Sequence, residues 1–331
     1  MIVSRAPVRF SLGGGGTDLP AYASRFGGFV VSAAIDKYVH VCASSRFQRE
    51  IRLSYSKTEI VGAVEHIEHP IFREALKLLG IREGIELVSV ADLPSSSGLG
   101  SSSAFTVALL NALHTYKRDL VSSRQLALEA CSLEIERLKE PVGRQDQFIS
   151  AFGNVSALTF DRDGSVHVEP VPARDEVLGE LEANLVIVWS GVERPARVVL
   201  REQGERIDTL EPDVLERMHR IQALGREVYR LLVSGDVDAY GELLHEHWTA
   251  KRRLASAMTD ATLDEHYEAA RSAGAIGGKI MGAGGGGFFM FYVRPADKRR
   301  VIEAMTARGL RVLRFRFDYD GARIIANHQR S

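Results

Sequence analysis

The residues Pro94-Ser95-Ser96-Ser97-Gly98-Leu99-Gly100-Ser101-Ser102-Ser103 are of the types that could meet an anion. They leave an apolar strand pattern at 85–90 and run into a buried-helix pattern from Ala104. Glycines let backbone approach a phosphate closely, and free N–H groups at a helix start favour negative charge. Serine hydroxyls can bond phosphate oxygens or a hard cation. No lysine lies in the loop, unlike a Walker A motif, and Gly98-Leu99-Gly100 lacks the third glycine of a dinucleotide fingerprint. A serine-rich capped helix start explains the same residues equally well, so both readings stay open.

Two carboxylates carry the next signal. A helix pattern opens at Ser122 and runs to about Lys139 before Pro141. On it Glu129, Ser132, Glu136 and Glu140 share a polar stripe, whereas Glu134 shares an apolar one with Ala127, Cys131 and Leu138. A carboxylate in an apolar stripe needs a partner, either a metal ion or an arginine. Asp146 falls in the first turn of the following helix, where the macrodipole favours an ionised carboxylate, although such an Asp can also be purely structural. Glycine runs at 13–16, before Thr17-Asp18, and at 282–287 add two more loops at strand ends. Each alone is a turn; three together suggest a cleft where backbone packs around a ligand.

The chain that must position these groups has 331 residues, enough for two domains. Its net charge of -1 gives no global pull toward nucleic acid or an anionic membrane. Cys42 and Cys131 lie in apolar patterns without metal-ligand spacing, which suits core thiols in a reducing compartment. No stretch approaches a membrane span and the first residues enter a strand pattern, so a cytoplasmic location is expected. Strands are expected at 2–12, 28–35, 38–42, 51–55, 85–90, 154–160, 165–169, 184–189, 275–281, 288–293 and 311–317. Helices are expected at 70–79, 101–117, 122–139 and from 143, then at 195–204, 211–233, 237–256, 261–273 and 295–308. The polar, proline-containing patch at 170–182 is the expected boundary, giving domains 1–175 and 176–331 of α+β class.

Ala6-Pro7-Val8-Arg9 through Gly16-Thr17-Asp18 resembles the first motif of the GHMP kinases, the superfamily of galactokinase and mevalonate kinase. Pro94 through Ala104 is similar to their second, nucleotide-binding motif, and Lys279 through Phe288 to their third. Within the superfamily the likeness is to bacterial D-glycero-D-manno-heptose 7-phosphate kinases. It rests on Gly14-Gly15-Gly16-Thr17-Asp18, Ala34-Ile35-Asp36-Lys37-Tyr38, Gly143-Arg144-Gln145-Asp146-Gln147 and Gly277 through Gly287. An extra glycine, Gly13, precedes the usual triplet and bears on the shape of the sugar pocket.

The resemblance implies a two-domain α+β GHMP kinase fold, with a ribosomal protein S5 domain 2-like N-terminal domain and a ferredoxin-like C-terminal domain. It implies ATP as donor, Mg²⁺ as cofactor and a sugar phosphate as acceptor, in nucleotide-activated heptose synthesis. The family pattern puts the catalytic aspartate at Asp146, a cation near the reacting centre at Arg9, and metal ligands at Ser102 and Glu134. Nucleotide contacts map to Pro94, Ser96, Ser97, Gly98, Leu99, Gly100, Ser101, Ser102 and Ser103. Substrate contacts map to Gly15, Gly16, Thr17, Asp18, Arg144, Gly284, Gly285 and Gly286. Arg144, Lys37, Arg194, Arg197 and Lys251 are the cations that could read a distal phosphate, each equally explicable as a surface charge. The rival expectations are a kinase of a neutral, fucose- or galactose-like sugar, and a non-catalytic sugar or nucleotide sensor. Oligomeric state stays open.

Overall fold

The computed structural model describes residues 1–94, 97–192, 196–256 and 258–329. The first half runs β1 (Ile2–Gly13), α1 (Pro20–Phe26), β2 (Gly28–Ser45), β3 (Ile51–Ser54), β4 (Thr58–Val61), α2 (Pro70–Leu78), β5 (Ile85–Ala91), α3 (Ser101–Lys117), α4 (Ser123–Cys131), α5 (Gln145–Phe152), β6 (Val155–Phe160) and β7 (Val166–Pro170). The second half runs α6 (Asp175–Asn184), β8 (Leu185–Trp189), α7 (Ala196–Asp208), α8 (Pro212–Ser234), α9 (Tyr240–Lys251), α10 (Ala261–Ser272), β9 (Ala275–Ile280), β10 (Phe288–Val293), α11 (Pro295–Thr306), β11 (Arg311–Leu313) and β12 (Arg323–Asn327).

Two sheets result. The first has eight strands, ordered β12-β1-β2-β5-β3-β4, with β6 also pairing β2 and β7 pairing β6. Ala104 through Leu113 of α3 are buried, and this helix packs on β1 and β2. It is apolar nearly all round, as a helix sealed inside a layer must be. The second sheet is ordered β11-β8-β10-β9. Numbered along the chain, that is the 4-1-3-2 order of a ferredoxin-like sheet, with α7 to α10 inserted after its first strand.

Several elements depart from the periodicity of the sequence. The strands expected at 28–35 and 38–42 form one strand, because β2 pairs with β1 throughout. Asp36 and Lys37 fall in a register shift, with Pro7 opposite Tyr38 and Val8 opposite Ile35. Part of the polar patch at 170–182 forms α6, which buries Val177, Leu178 and Leu181 along one face. The last strand stops at Leu313, after which Phe317 bridges to Ile35 and the chain reaches β12 beside β1. Among the described residues no helix is long and apolar enough to cross a membrane.

Candidate active site

A cavity of about 320 Å³ opens where the two sheets' loops face each other. The first half supplies its floor through Arg9, Gly16, Asp18, Ser97, Gly98, Gly100 to Ser103, Glu134 and Asp146; α7 and α9 supply Arg197, Gln203 and Lys251.

Asp146 and Arg9 form the tightest arrangement in it. Arg9 stands inside β1, only 5% exposed. Its Nε donates to Asp146 Oδ1 at 2.7 Å and its Nη2 to Oδ2 at 2.6 Å. The remaining Nη1 donates to Gly98 O at 3.0 Å, and the Arg9 backbone N–H to Leu99 O at 2.9 Å. One planar guanidinium therefore fixes the carboxylate and ties it to the serine loop. Gly100 makes the approach possible. Its φ is +75°, and a Cβ there would stand 2.9 Å from Asp146 Oδ2.

Glu134 lies in a π-helical turn, Ser132–Arg137, that continues α4. Such turns recur at functional sites because the widened backbone re-aims a side chain. Glu134 is 3% exposed, and among the described residues no arginine meets it. Ser103 donates to Oε2 at 2.7 Å, Thr106 to Oε1 at 2.6 Å, and the Gln147 amide also to Oε2. Burial pushes its carboxyl up from the ordinary value, against the opposing pull of those donors. Glu136, in contrast, takes a surface hydrogen bond from Ser132.

Asp18 is also buried. Its Oδ1 accepts from the Gly16 N–H and the Gln145 amide, and its Oδ2 from the Gln145 N–H. It thereby ties the first glycine loop to the start of α5, one residue from Asp146. Burial, and then the nearby Asp146 charge, raise its carboxyl.

The expected residues divide on inspection. Gly15, Gly16, Asp18, Ser97, Gly98, Gly100, Ser101, Ser102 and Ser103 border the cavity with Asp146, Arg9 and Glu134. Thr17 does not, because its hydroxyl donates to Gly14 O and accepts from Phe29 N–H inside the fold. Leu99 turns its side chain fully into the core, and Pro94 is exposed outside the cavity. Ser96 lies outside the described residues. Arg144 reaches away, donating to Gly164 O at 2.6 Å in the β6–β7 turn. The third glycine loop meets the cavity through Gly282 and Ala283, not through Gly284, Gly285 and Gly286. Those three face the interior of the second half, where Gly285 donates to Met258 O and Gly287 to Val192 O. Gly282 has φ +64°, and a Cβ on it would stand 2.3 Å from Gly98 O, so the second and third loops pack backbone to backbone.

Sequence reasoning missed Thr106 and Gln147 as partners of Glu134, and Gln145 as partner of Asp18. Thr106 was within reach of a pattern argument, since it follows Ser103 by three residues on one helical face. It also missed two buried bases behind the third loop. Among the described residues, His247, 2% exposed, has neither ring nitrogen partnered, and the Lys279 ammonium has only Leu12 O, at 3.5 Å.

The description "GHMP kinases N terminal domain" fits residues 59–154, and "GHMP kinases C terminal" fits residues 228–310. A D-glycero-alpha-D-manno-heptose 7-phosphate kinase of Campylobacter jejuni is 27% identical over 97% of this chain and 98% of its own. A bifunctional fucokinase/GDP-fucose pyrophosphorylase of Arabidopsis thaliana is 26% identical over 89% of this chain but only 30% of its own. The crystal structure of a D-glycero-D-manno-heptose 1-phosphate kinase from Bacteriodes thetaiotaomicron superposes with a TM-score of 0.83 at 24% identity, covering 99% of this chain and 100% of that one.

Proposed function

The chain belongs to the GHMP kinases, and from that premise we propose that it phosphorylates the anomeric hydroxyl of D-glycero-D-manno-heptose 7-phosphate with ATP, giving the 1,7-bisphosphate. The observation that carries the reaction type is the Arg9–Asp146 fork, held against the serine loop and facing the cavity that Glu134 also borders. The substrate rests on the similarity to the Campylobacter jejuni kinase along the whole chain. The product suits a route to nucleotide-activated heptose, and a cytoplasmic enzyme whose domains, 1–175 and 176–331, close on the cleft.

In this reading Asp146 orients the anomeric hydroxyl and accepts its proton as the sugar oxygen bonds to the γ-phosphorus. The bond from that phosphorus to the β,γ-bridging oxygen breaks, and ADP leaves with the electron pair. Arg9 holds the Asp146 oxygens in place and offsets charge developing beside them. The serine loop and the start of α3 cradle the donor phosphates. Asp18, beside Asp146, takes hydrogen bonds from ring hydroxyls.

Oxygen donors bordering the cavity fit a magnesium ion. Glu134 is a buried carboxylate with hydroxyl and amide partners but no cation among the described residues, and the Ser102 hydroxyl borders the same space. Among the described residues no cluster of three or more acidic, histidine or cysteine side chains could hold a metal. Few protein ligands, completed by phosphate and water, are what magnesium prefers. Ser102 and Glu134 would hold it, and the ion would neutralise charge on the transferred phosphoryl group.

The test is kcat/KM for heptose 7-phosphate against heptose, fucose and galactose. A preference for the phosphosugar of roughly 10²-fold is expected from one well-formed charged contact. A neutral sugar that matches or beats it overturns the substrate. That result would favour the fucose- or galactose-like alternative to which the plant fucokinase similarity points. No turnover of any sugar would leave a sensor.

A further inference from the structure

If the acceptor already carries a phosphate of its own, some cation must face the cavity with hydrogen bonds to spare. Lys37 does not, since its ammonium is bonded to Asp36 at 2.7 Å and borders a different groove. Arg144 is committed to Gly164 O, outside the cavity. Arg194 lies outside the described residues. Arg197 and Lys251 remain, and both border the cavity.

They stand on the acceptor side. Arg197, Leu200 and Gln203 follow one another at three-residue spacing, so they share one face of α7, and all three border the cavity. Gln203 Nε2 lies 3.3 Å from where a Cβ on Gly16 would be, which puts this face directly over the first glycine loop. Lys251, which borders the same cavity, is 7% exposed at the end of α9. Its Nζ donates to Ile280 O at 3.2 Å and to Gly282 O, leaving one of its three hydrogens uncommitted. Its charged neighbours are Arg9 and Asp18, residues of the reacting centre. Arg197 is exposed and has no carboxylate partner among the described residues.

We propose that Arg197 and Lys251 form the subsite for the phosphate that the acceptor already carries, Arg197 as the outer fork and Lys251 as the inner ammonium. The proposal rests on the phosphosugar reading above. It assigns a geometric reason for selectivity: α7 brings a free guanidinium over the loop that holds the sugar, while the buried lysine at the end of α9 borders the same cavity. Burial lowers the Lys251 ammonium to about 7, so an arriving dianion would draw a proton onto it.

The experiment compares Arg197→Ala, Lys251→Met and Arg201→Ala with the unmodified enzyme. The readout is the ratio of kcat/KM for heptose 7-phosphate to that for heptose, with calorimetric binding of heptose 7-phosphate as a second measurement. Arg201 is an exposed cation one turn along α7 that does not border the cavity. The ratio should fall roughly 10²-fold in Arg197→Ala and in Lys251→Met, chiefly through KM, and hold in Arg201→Ala. Binding of the phosphosugar should weaken by a similar factor in the same two variants. Methionine keeps the length of the lysine stem, and a cooperative melt checks that variant's fold. A ratio preserved in either cavity variant, or lost equally in Arg201→Ala, overturns the subsite while leaving the phosphosugar assignment intact. An unmodified enzyme that does not discriminate overturns both.

Discussion

The two walls of the cleft are built on opposite terms. The first half contributes acids, Asp18, Glu134 and Asp146, and every one is held by donors on neighbouring elements. The second half contributes cations, Arg197 and Lys251, and keeps two further buried bases, His247 and Lys279, behind the third glycine loop. Burial drives the most enclosed of these groups toward neutrality on both sides. It raises the carboxyls of Asp18 and Glu134, and it lowers the ammonium groups of Lys251 and Lys279 and the imidazole of His247. The acid wall is thus organised in advance of ligand. The basic wall stores charge that an incoming anion can call up. Phosphoryl transfer needs both, since it is mostly positioning and charge neutralisation.

The comparison breaks most visibly at Asp146. Asp146→Asn keeps one oxygen for the Arg9 fork but removes the proton acceptor, so kcat should fall by roughly 10²–10⁴ while ATP binding persists. Steady-state kinetics with nucleotide binding measured in parallel checks this. A kcat near that of the unmodified enzyme would remove Asp146 from the chemistry.

Within the acid wall, Glu134 and Glu136 sharpen the contrast. Glu134→Gln and Ser102→Ala should each raise the Mg²⁺ concentration for half-maximal rate by roughly tenfold, the cost of losing or misaligning one oxygen ligand. Glu136→Gln, on the exposed side of the same helical turn, should leave the titration where it is. Superimposable magnesium titrations for the two glutamate variants would refute the distinction.

Much of the acid wall was legible in the chain. Glu134 stood out because a carboxylate on an apolar stripe is expensive, and Asp146 because it opens a helix; both reach the cavity. Periodicity also drew α3 at its true bounds, since a long apolar run between turn signals has one solution. The basic wall was not legible. His247 and Lys279 sit in patterns that read as a polar helix face and an apolar strand, and their burial follows from how α9 packs on β9. Thr17 shows the opposite failure. Its place in a glycine loop suggested substrate, but a hydroxyl that satisfies two backbone groups is structural. β12 escaped notice because its residues alternate between exposed and half-buried, and only pairing with β1 makes them a strand. Arg144 and Arg197 were indistinguishable as sequence, since nothing local says which arginine a turn will capture.

The smallest effect concerns stability and probes the basic wall alone. A lysine in the unfolded chain titrates near 10.4, whereas burial holds Lys251 at about 7 in the folded protein. Between those values the unfolded state carries a proton that the folded site has released. Stability therefore rises with pH across that window, and the full cost of burying the charged form is felt below about 7. Lys251→Met removes this contribution. At about 1.4 kcal/mol per pKa unit the penalty is several kcal/mol, and the hydrogen bonds that methionine cannot make to Ile280 O and Gly282 O offset part of it, so the variant should gain on the unmodified protein by several degrees in Tm near pH 7. That advantage should shrink steadily as pH approaches 10. Lys279 and His247 are themselves lowered in part by the Lys251 charge, so their release in the variant adds to the difference rather than cancelling from it. Melting curves of the pair at half-unit intervals from pH 6 to 10, without ligand, make the measurement. A difference that stays constant across the series would mean that Lys251 is charged throughout, and the basic wall would then be a fixed cation rather than a reserve.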